Sequence, residues 1–287
     1  MLILPGGGYP GPEGPRRGTE PPSGEMAPAL RLAVLGSGSG GNAVLVRSGS
    51  TAVLVDAGFP RDVLARRLAA VGERVEALTA ILLTHEHGDH ARAAGSLARG
   101  LGIPVYLTRG TFEALGEAAR GALPGTVFIR PGEAFGVEAL TVEPFAIPHD
   151  AADPVAYCLG VDGLRVGICT DVGYVTYLTV ARLKRCRVLV LEANHDARLL
   201  AEGAYHAGLK RRIGGRHGHL SNDDAARILE AVAPTGLAHV VLAHLSRENN
   251  RPDLALAAAG AALARAGRSD VRLTVASQES PTEVFTA

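Results

Sequence analysis

The chain has 287 residues, 47% of them hydrophobic, with 29 acidic and 29 basic residues. This length suffices for one large α/β core or two small ones, and we expect one. The zero net charge argues against a protein that coats nucleic acid with general positive charge, but it permits a local basic patch. The three cysteines form no CxxC pair, which argues against a disulfide framework or a thiolate zinc site and favours a reducing cytoplasm.

Residues 1–28 are dominated by proline and glycine and contain too little apolar surface to offset the entropy of ordering. We therefore predict a disordered tail over residues 1–28 and a folded domain over residues 29–287. The opening lacks the long apolar run of a signal peptide, and no later stretch is long enough to span a bilayer. We expect neither export nor a membrane anchor.

The predicted elements alternate between short strands and helices. The chain opens with a strand meander, RLAVL, AVLVR and TAVLVD, followed by the helix RDVLARRLAAVG and the apolar strand AILLT. Further strands are predicted at PVYL, TVFI, VEALTV, VAYCLGV, LRVGICT, RVLVLE and HVVLA, with helices at TFEALGEAAR, SNDDAARILEAV and DLALAAAGAALARA. In the second of these helices, Ser221 and Asp224 are typical of a helix start, which places His219 just before it. The pattern predicts a mixed α/β architecture.

The strand AILLT ends directly at THEHGDH. His85 and His87 alternate on an extended segment and can point the same way, while Asp89 and His90 follow a glycine that lets the backbone turn. Imidazole and carboxylate ligands suit Zn²⁺ or a similar divalent ion. The alternative interpretation is a polar surface loop, or histidines whose hydrogen bonds are satisfied near a core.

THEHGDH resembles the HxHxDH signature of the metallo-β-lactamase fold superfamily, and LVDAG resembles the Asp-containing strand end that precedes it. In chain order, His149 in FAIPHDA, Asp171 in CTDVGY and His244 in LAHLS are similar to the later motifs. The resemblance implies a four-layer αβ/βα sandwich, with two mixed β-sheets face to face and helices outside.

The same resemblance implies two divalent metal ions per chain, with zinc expected first and manganese as the alternative. One ion would be held by His85, His87 and His149. The other would be held by Asp89, His90 and His244, and Asp171 would bridge the two. An Asp at position 171 differs from the Cys of true β-lactamases, so antibiotic hydrolysis is not expected.

The stretches LGSGSGGN, LEANHD, YHAGLKRRI, GHLSNDDAA and LAHLSRENN resemble the YycJ/WalJ-like branch, which is grouped with nuclease-type members. GHLSNDDAA followed by LAHLS is also similar to transfer-RNA 3′-processing hydrolases, in which a Glu orients a His near the scissile phosphate. This implies that Glu192 and His219 act together in catalysis, with His219 protonating the leaving oxygen and Asp89 holding the attacking water or taking its proton. The alternative is a structural pair at the rim of the site.

The residues predicted to bind substrate are Asn42, which follows a glycine-rich turn, His195, and Lys210, Arg211 and Arg212 of a short basic run. We expect a metal-dependent nuclease, and in particular a DNA exonuclease in repair, with DNA favoured over RNA. A small-molecule ester, thioester or lactone hydrolase is one alternative. A non-catalytic binding or regulatory protein stabilised by metal is another, and it is disfavoured because structural zinc sites are usually closed.

Overall fold

The structure is a computed structural model that describes residues 29–287 apart from residues 122 and 124. The disordered tail predicted for residues 1–28 lies outside the described residues. No helix within the described part of the chain is long and apolar enough to cross a bilayer.

Short aliphatic runs form the strands, because apolar and β-branched side chains pack well on a sheet that is buried on both faces. The strands are β1 (Arg31–Gly36), β2 (Ala43–Ser48), β3 (Thr51–Val55), β4 (Ala80–Leu82), β5 (Val105–Thr108), β6 (Thr126–Ile129), β7 (Phe135–Val137), β8 (Leu140–Ala146), β9 (Val155–Val161), β10 (Leu164–Cys169), β11 (Val188–Glu192), β12 (His239–Ala243), β13 (Arg272–Val275) and β14 (Phe285–Thr286).

Helices connect many of these strands and lie on the outer faces of the sheets. They are α1 (Arg61–Ala70), α2 (Gly88–Ala91), α3 (Ala94–Leu101), α4 (Arg109–Ala114), α5 (Glu117–Gly121), α6 (Tyr177–Leu183), α7 (Ala197–Glu202), α8 (Ala207–Ile213), α9 (Asn222–Val232) and α10 (Pro252–Arg265). As predicted, α9 begins with Ser221, whose hydroxyl accepts a hydrogen bond from the Asp224 amide.

Among the described residues, the strands form two seven-stranded mixed sheets. The first has the order β14-β1-β2-β3-β4-β5-β6 and the second the order β13-β12-β11-β10-β9-β8-β7. In the first sheet β1 to β3 form the predicted antiparallel meander and β3 to β6 run parallel. In the second sheet β7 to β10 are antiparallel and β10 to β13 are parallel. Each sheet thus has a parallel half, and open α/β sheets bind ligands beyond the carboxyl ends of such strands.

Three apolar clusters separate the layers of the protein. Successive side chains of β1 point to opposite faces of the first sheet. Leu32 and Val34 pack between the two sheets, whereas Ala33 and Leu35 pack against the helices outside the first sheet. A third cluster joins the second sheet to α9 and α10. The order helix, sheet, sheet, helix confirms the predicted four-layer αβ/βα sandwich.

Two local predictions were wrong. VEALTV is not one strand but a hairpin, in which β7 ends at Val137 and β8 begins at Leu140, with Glu138 in a left-handed conformation (φ 49°). The apolar pattern continues through the turn because both strands bury side chains. The predicted helix TFEALGEAAR is interrupted at Leu115, which is extended and buried, so that α4 and α5 are separate.

Tyr157 on β9 joins the two sheets. Its ring is fully buried in the cluster between them, and its hydroxyl donates a 2.7 Å hydrogen bond to the carbonyl oxygen of Leu83, just after β4. Burial raises the pKa of Tyr157 well above its usual value, so the hydroxyl keeps its proton and acts as a donor. The bond holds the end of β4, from which the THEHGDH loop begins.

We predict that Tyr157→Phe lowers the free energy of unfolding by about 1–2 kcal/mol, because the buried Leu83 carbonyl loses its partner. Urea unfolding of the wild type and the variant measures this change. Tyr177→Phe is the matched control, since Tyr177 is 90% exposed and should have no effect. An equal stability of Tyr157→Phe and the wild type would contradict the role of this bond.

Candidate metal centre

The residues predicted as metal ligands converge at the carboxyl ends of the parallel strands. The loop after β4 carries His85 and His87, and α2 carries Asp89 and His90. The second sheet supplies the other three from the chain that follows its strands: His149 after β8, Asp171 after β10 and His244 after β12. The site therefore lies where the edges of the two sheets meet.

The first cluster consists of His85, His87 and His149. Each offers one ring nitrogen, and these atoms lie within 4.8 Å of one another. His85 Nε2 is 3.0 Å from His87 Nδ1. Burial lowers the pKa of His85 well below its usual value and also lowers that of His149, so both imidazoles are neutral and keep a free lone pair.

The second cluster consists of Asp89, His90 and His244, whose ligand atoms likewise lie within 4.8 Å of one another. The Asp89 carboxylate oxygen Oδ2 is 3.6 Å from His90 Nε2 and 3.9 Å from His244 Nε2. This cluster differs from the first because a carboxylate replaces one imidazole.

Asp171 lies between the clusters. Its Oδ2 is 3.2 Å from His90 Nε2, and its Oδ1 is 3.9 Å from His149 Nε2. The carboxylate is buried, and burial alone would raise its pKa, but the charges of His244 and His90 hold the pKa well below its usual value. An ionised carboxylate placed in this way has one oxygen for each cluster.

Three of the predicted ligand atoms have no hydrogen-bond partner although they are buried: His149 Nε2, His244 Nε2 and Asp171 Oδ2, which approaches His90 without hydrogen-bond geometry. Buried polar atoms are normally satisfied, so an unpartnered group calls for a ligand. Burial lowers the pKa of His244, but Asp171 and the other carboxylates raise it to about 10. The carboxylates thus demand positive charge, and the nitrogen and oxygen donors suit a divalent cation.

Asp56, the first residue after β3, orients His90. Its Oδ2 accepts a 2.8 Å hydrogen bond from His90 Nδ1, and its Oδ1 accepts one of 2.8 Å from the Thr84 amide. The bond to Nδ1 leaves the Nε2 lone pair of His90 directed at the second cluster, as a ligand requires. The LVDAG motif marks a strand end in the sequence, but it does not by itself reveal that Asp56 orients His90. An acid at the end of a strand is the feature of the sequence that could have indicated this role.

Glu192, at the end of β11, is fully buried and binds four donors. Its Oε1 accepts from His219 Nδ1 at 2.8 Å and His244 Nδ1 at 3.0 Å, and its Oε2 accepts from the amides of Val172 and Leu220 at 2.8 and 3.0 Å. Burial would raise its pKa, but His219 and His244 bring it to about 2. The predicted pairing of Glu192 with His219 is present, and Glu192 also supports the candidate ligand His244.

The backbone at the site is strained. Asp56, Asp171 and His244 all have left-handed conformations, with φ of 61°, 60° and 56°. Such conformations cost of order 1–3 kcal/mol for residues other than glycine and persist only where the surroundings fix them. Close packing adds to the constraint, because a Cβ on Gly58 would lie 1.7 Å from the Asp89 carbonyl oxygen. The backbone at Asp89 can therefore lie this close to the segment after β3 only because residue 58 is a glycine.

The two clusters open into a cleft of about 360 Å³, here called the site cleft. Besides predicted ligands, its walls include Ser39, Asp150, Arg212 and His219. Arg212 donates to Asp150 Oδ2 at 2.6 Å, and Asp150 Oδ1 lies 3.3 Å from His149 Nε2. Asp150 is a residue of the cleft that was not predicted from the sequence.

The other predicted substrate contacts lie outside the residues that line the cleft. Asn42 is buried, with its Nδ2 3.0 Å from His90 Nε2, so it supports the second cluster. His195 is buried, and its Nδ1 has no hydrogen-bond partner. Lys210 donates to the Ala201 carbonyl at 2.7 Å, and Arg211 is exposed on the same helix as Arg212. The structure thus brings only Arg212 of the predicted basic run to the cleft.

Comparison with known proteins agrees with this architecture. The profile of the beta-lactamase superfamily domain matches residues 51–245. The chain belongs to the metallo-β-lactamase superfamily and is a hydrolase of that class.

Particular relatives are nucleases by name. The exodeoxyribonuclease YycJ of Bacillus anthracis is 35% identical over 228 residues, covering 79% of this chain and 86% of that protein. The exodeoxyribonuclease WalJ of Streptococcus pneumoniae is 33% identical over 229 residues, covering 79% and 85%. Among solved structures, the metallo-β-lactamase fold protein YhfI of Bacillus subtilis superimposes with a TM-score of 0.67 at 20% identity, covering 90% of this chain and 100% of that one.

We predict that Asp56→Asn weakens metal binding at the second cluster by about 10- to 100-fold. The two Asp56 oxygens accept hydrogen bonds from His90 and Thr84, whereas the asparagine amide has one oxygen and an NH₂ group that cannot accept. Metal titration against a competing chelator measures the loss. Asp62→Asn is the control, since Asp62 is an exposed carboxylate on α1. Unchanged affinity in Asp56→Asn would show that His90 needs no support from this carboxylate.

Proposed function

We propose that this protein is a dinuclear metal-dependent phosphodiesterase, and that it acts as an exonuclease on DNA. The observation that carries the proposal is a pair of ligand clusters sharing Asp171, beside a histidine held by a buried glutamate. The names of the YycJ and WalJ relatives support DNA as the substrate. We place the activity in DNA repair. The three cysteines form no disulfide, in keeping with a reducing cytoplasm.

In this proposal the first cluster would hold one ion and the second cluster would hold the other, with Asp171 offering one carboxylate oxygen to each. Zinc is the expected metal and manganese the alternative, because the donors are imidazoles and carboxylates without thiolates. Two bound ions in such a site would supply Lewis acidity, neutralise phosphate charge and lower the pKa of a water.

Asp89 is the residue proposed to hold the attacking water or accept its proton. Its side chain is 24% exposed and lines the site cleft, so the carboxylate is accessible from the cleft. Burial would raise its pKa, but the nearby charges of His244 and His90 lower it, which keeps the carboxylate ionised as an acceptor.

His219 is the residue proposed to protonate the leaving oxygen. Its Nδ1 donates to Glu192, and its side chain is 22% exposed in the site cleft, which leaves Nε2 to deliver the proton. Burial lowers the pKa of His219, but the charge of Glu192 outweighs this and raises it, so the charged form is favoured. General-acid catalysis of this kind contributes about 10²- to 10⁴-fold to the rate.

Arg212 is the residue proposed to contact a phosphate of the bound strand. Its side chain is 64% exposed and is held at the cleft by Asp150. Lys210 and Arg211 lie on the same short helix, α8, and would extend the cationic surface along the strand. This surface implies that affinity for DNA falls as salt rises.

We predict that Asp171→Asn abolishes DNA cleavage and lowers metal content from about two ions per chain, because the bridging charge is lost. Mass spectrometry of the metal-loaded protein and assays on labelled DNA test this. Asp162→Asn is a matched control, since Asp162 shares the left-handed backbone (φ 47°, against 60° at Asp171) and lies on an exposed turn. Two metals with no nucleic-acid cleavage by the wild type would overturn the nuclease proposal.

We predict that His219→Ala lowers kcat on DNA by about 10²- to 10⁴-fold while metal content stays unchanged. On a p-nitrophenyl phosphodiester the loss should be much smaller, because that leaving group needs no proton. Glu192→Gln should also lower kcat, and it should weaken metal binding as well, because Glu192 holds the candidate ligand His244. His217→Ala, an exposed neighbour, serves as the control. Equal losses on both substrates, or a loss of metal, in His219→Ala would indicate a structural role for His219.

A further inference from the structure

A second cavity of about 470 Å³ adjoins the site cleft. Its walls come from the glycine-rich loop at residues 37–39, from residues 245–247 after β12, and from residues 275–279, which begin at the last residue of β13. Ser39 lines both the cavity and the site cleft. The two spaces therefore share a border on the side of the second cluster.

Hydrogen bonds connect this cavity to the metal ligands. The hydroxyl of Ser37, in the cavity wall, accepts from the His244 amide and donates to Asn42 Oδ1, both at 2.9 Å. Asn42 in turn contacts His90. Leu245, the residue after His244, also lines the cavity. A group bound there would be adjacent to whatever the second cluster binds.

The lining combines apolar and neutral polar groups. Leu245, Pro252, Val275 and Ala276 supply aliphatic surface, while hydroxyl and amide groups come from serines and from Gln278. The charges of Arg247 and Glu279 cancel, because their exposed side chains form an ion pair. The cavity thus favours a neutral group with an apolar face and polar edges over a second anion, and its volume lies within the range of about 300–1,000 Å³ typical of small-molecule sites.

The walls are fixed before any ligand binds. Gln278 accepts from the Gly40 amide at 2.7 Å and donates to the Gly41 carbonyl at 3.0 Å, which ties the glycine-rich loop to the segment after β13. Arg67 donates to the Gln278 carbonyl oxygen at 2.7 Å. A preformed wall reduces the entropy lost on binding.

We propose that this cavity binds the nucleoside attached to the phosphate that occupies the site cleft. The base would pack on the aliphatic surface, and the sugar would lie toward Ser39 and the second cluster. This inference rests on the proposed function, since it assumes that a nucleotide phosphate occupies the cleft. No aromatic side chain is among the described residues that line the cavity, so base stacking is not expected to select one base.

The test is calorimetric titration of the zinc-loaded protein with thymidine 5′-monophosphate, thymidine 3′-monophosphate and inorganic phosphate. We expect the wild type to bind one of the mononucleotides at least about 10-fold more tightly than phosphate, a difference of about 1.4 kcal/mol. Val275→Phe fills the cavity and should reduce this preference to about twofold or less, with phosphate affinity unchanged. Val127→Phe, a half-exposed valine on the edge strand β6, is the matched control.

A wild type that binds phosphate and both mononucleotides equally would overturn the inference, and so would a Val275→Phe variant that keeps the preference. If circular dichroism shows that Val275→Phe is unfolded, Ser277→Tyr at the same wall replaces it with the same expected result. The titration requires no turnover. A wild type that prefers a mononucleotide but cuts no DNA would therefore refute the exonuclease proposal and leave the nucleoside site standing.

Discussion

The buried carboxylate of Glu192 fixes the geometry of the half of the site that the second sheet supplies. It binds the amides that follow β10 and precede α9, and the imidazoles of His219 and His244. A buried negative charge is tolerated only when such donors surround it, so these segments cannot separate without leaving it unpaired. The same group thus holds the proposed acid and a proposed ligand at a set distance from each other.

The first sheet uses the same device. Asp56 lies just after β3, as Glu192 lies at the end of β11. Its carboxylate accepts hydrogen bonds from the Thr84 amide and from His90 Nδ1. In each sheet, a buried acid at the carboxyl end of a parallel strand thus orients a histidine of the second cluster. The first cluster has less of this support, since His149 Nδ1 is held by the Gly218 carbonyl at 3.1 Å. The two proposed ion positions therefore differ in their surroundings as well as in their candidate ligands.

Much of the fold and of the grouping of candidate ligands could be predicted from the sequence, because continuous aliphatic runs mark buried strands and because THEHGDH places four donor side chains within six residues. Contacts between distant segments could not be predicted. No sequence pattern distinguishes Asp150 from other acidic residues. It pairs with Arg212 only because α8 lies beside it in the folded chain. His195 follows the same strand as Glu192, yet the backbone turns its side chain into a buried position. The interruption between α4 and α5 also depends on Leu115 packing into the core, which helical periodicity does not reveal.

The left-handed backbone at Asp56, Asp171 and His244 limits how this site can change in evolution. Aspartate, asparagine and histidine adopt that conformation far more readily than β-branched residues do. The residue types that tolerate the turn after each of these strands are therefore nearly the same as those that can bind a cation or orient its ligands. Exchange among those types would alter metal preference while the backbone path stays the same. A valine or threonine would strain the left-handed backbone at these positions, whatever metal is bound.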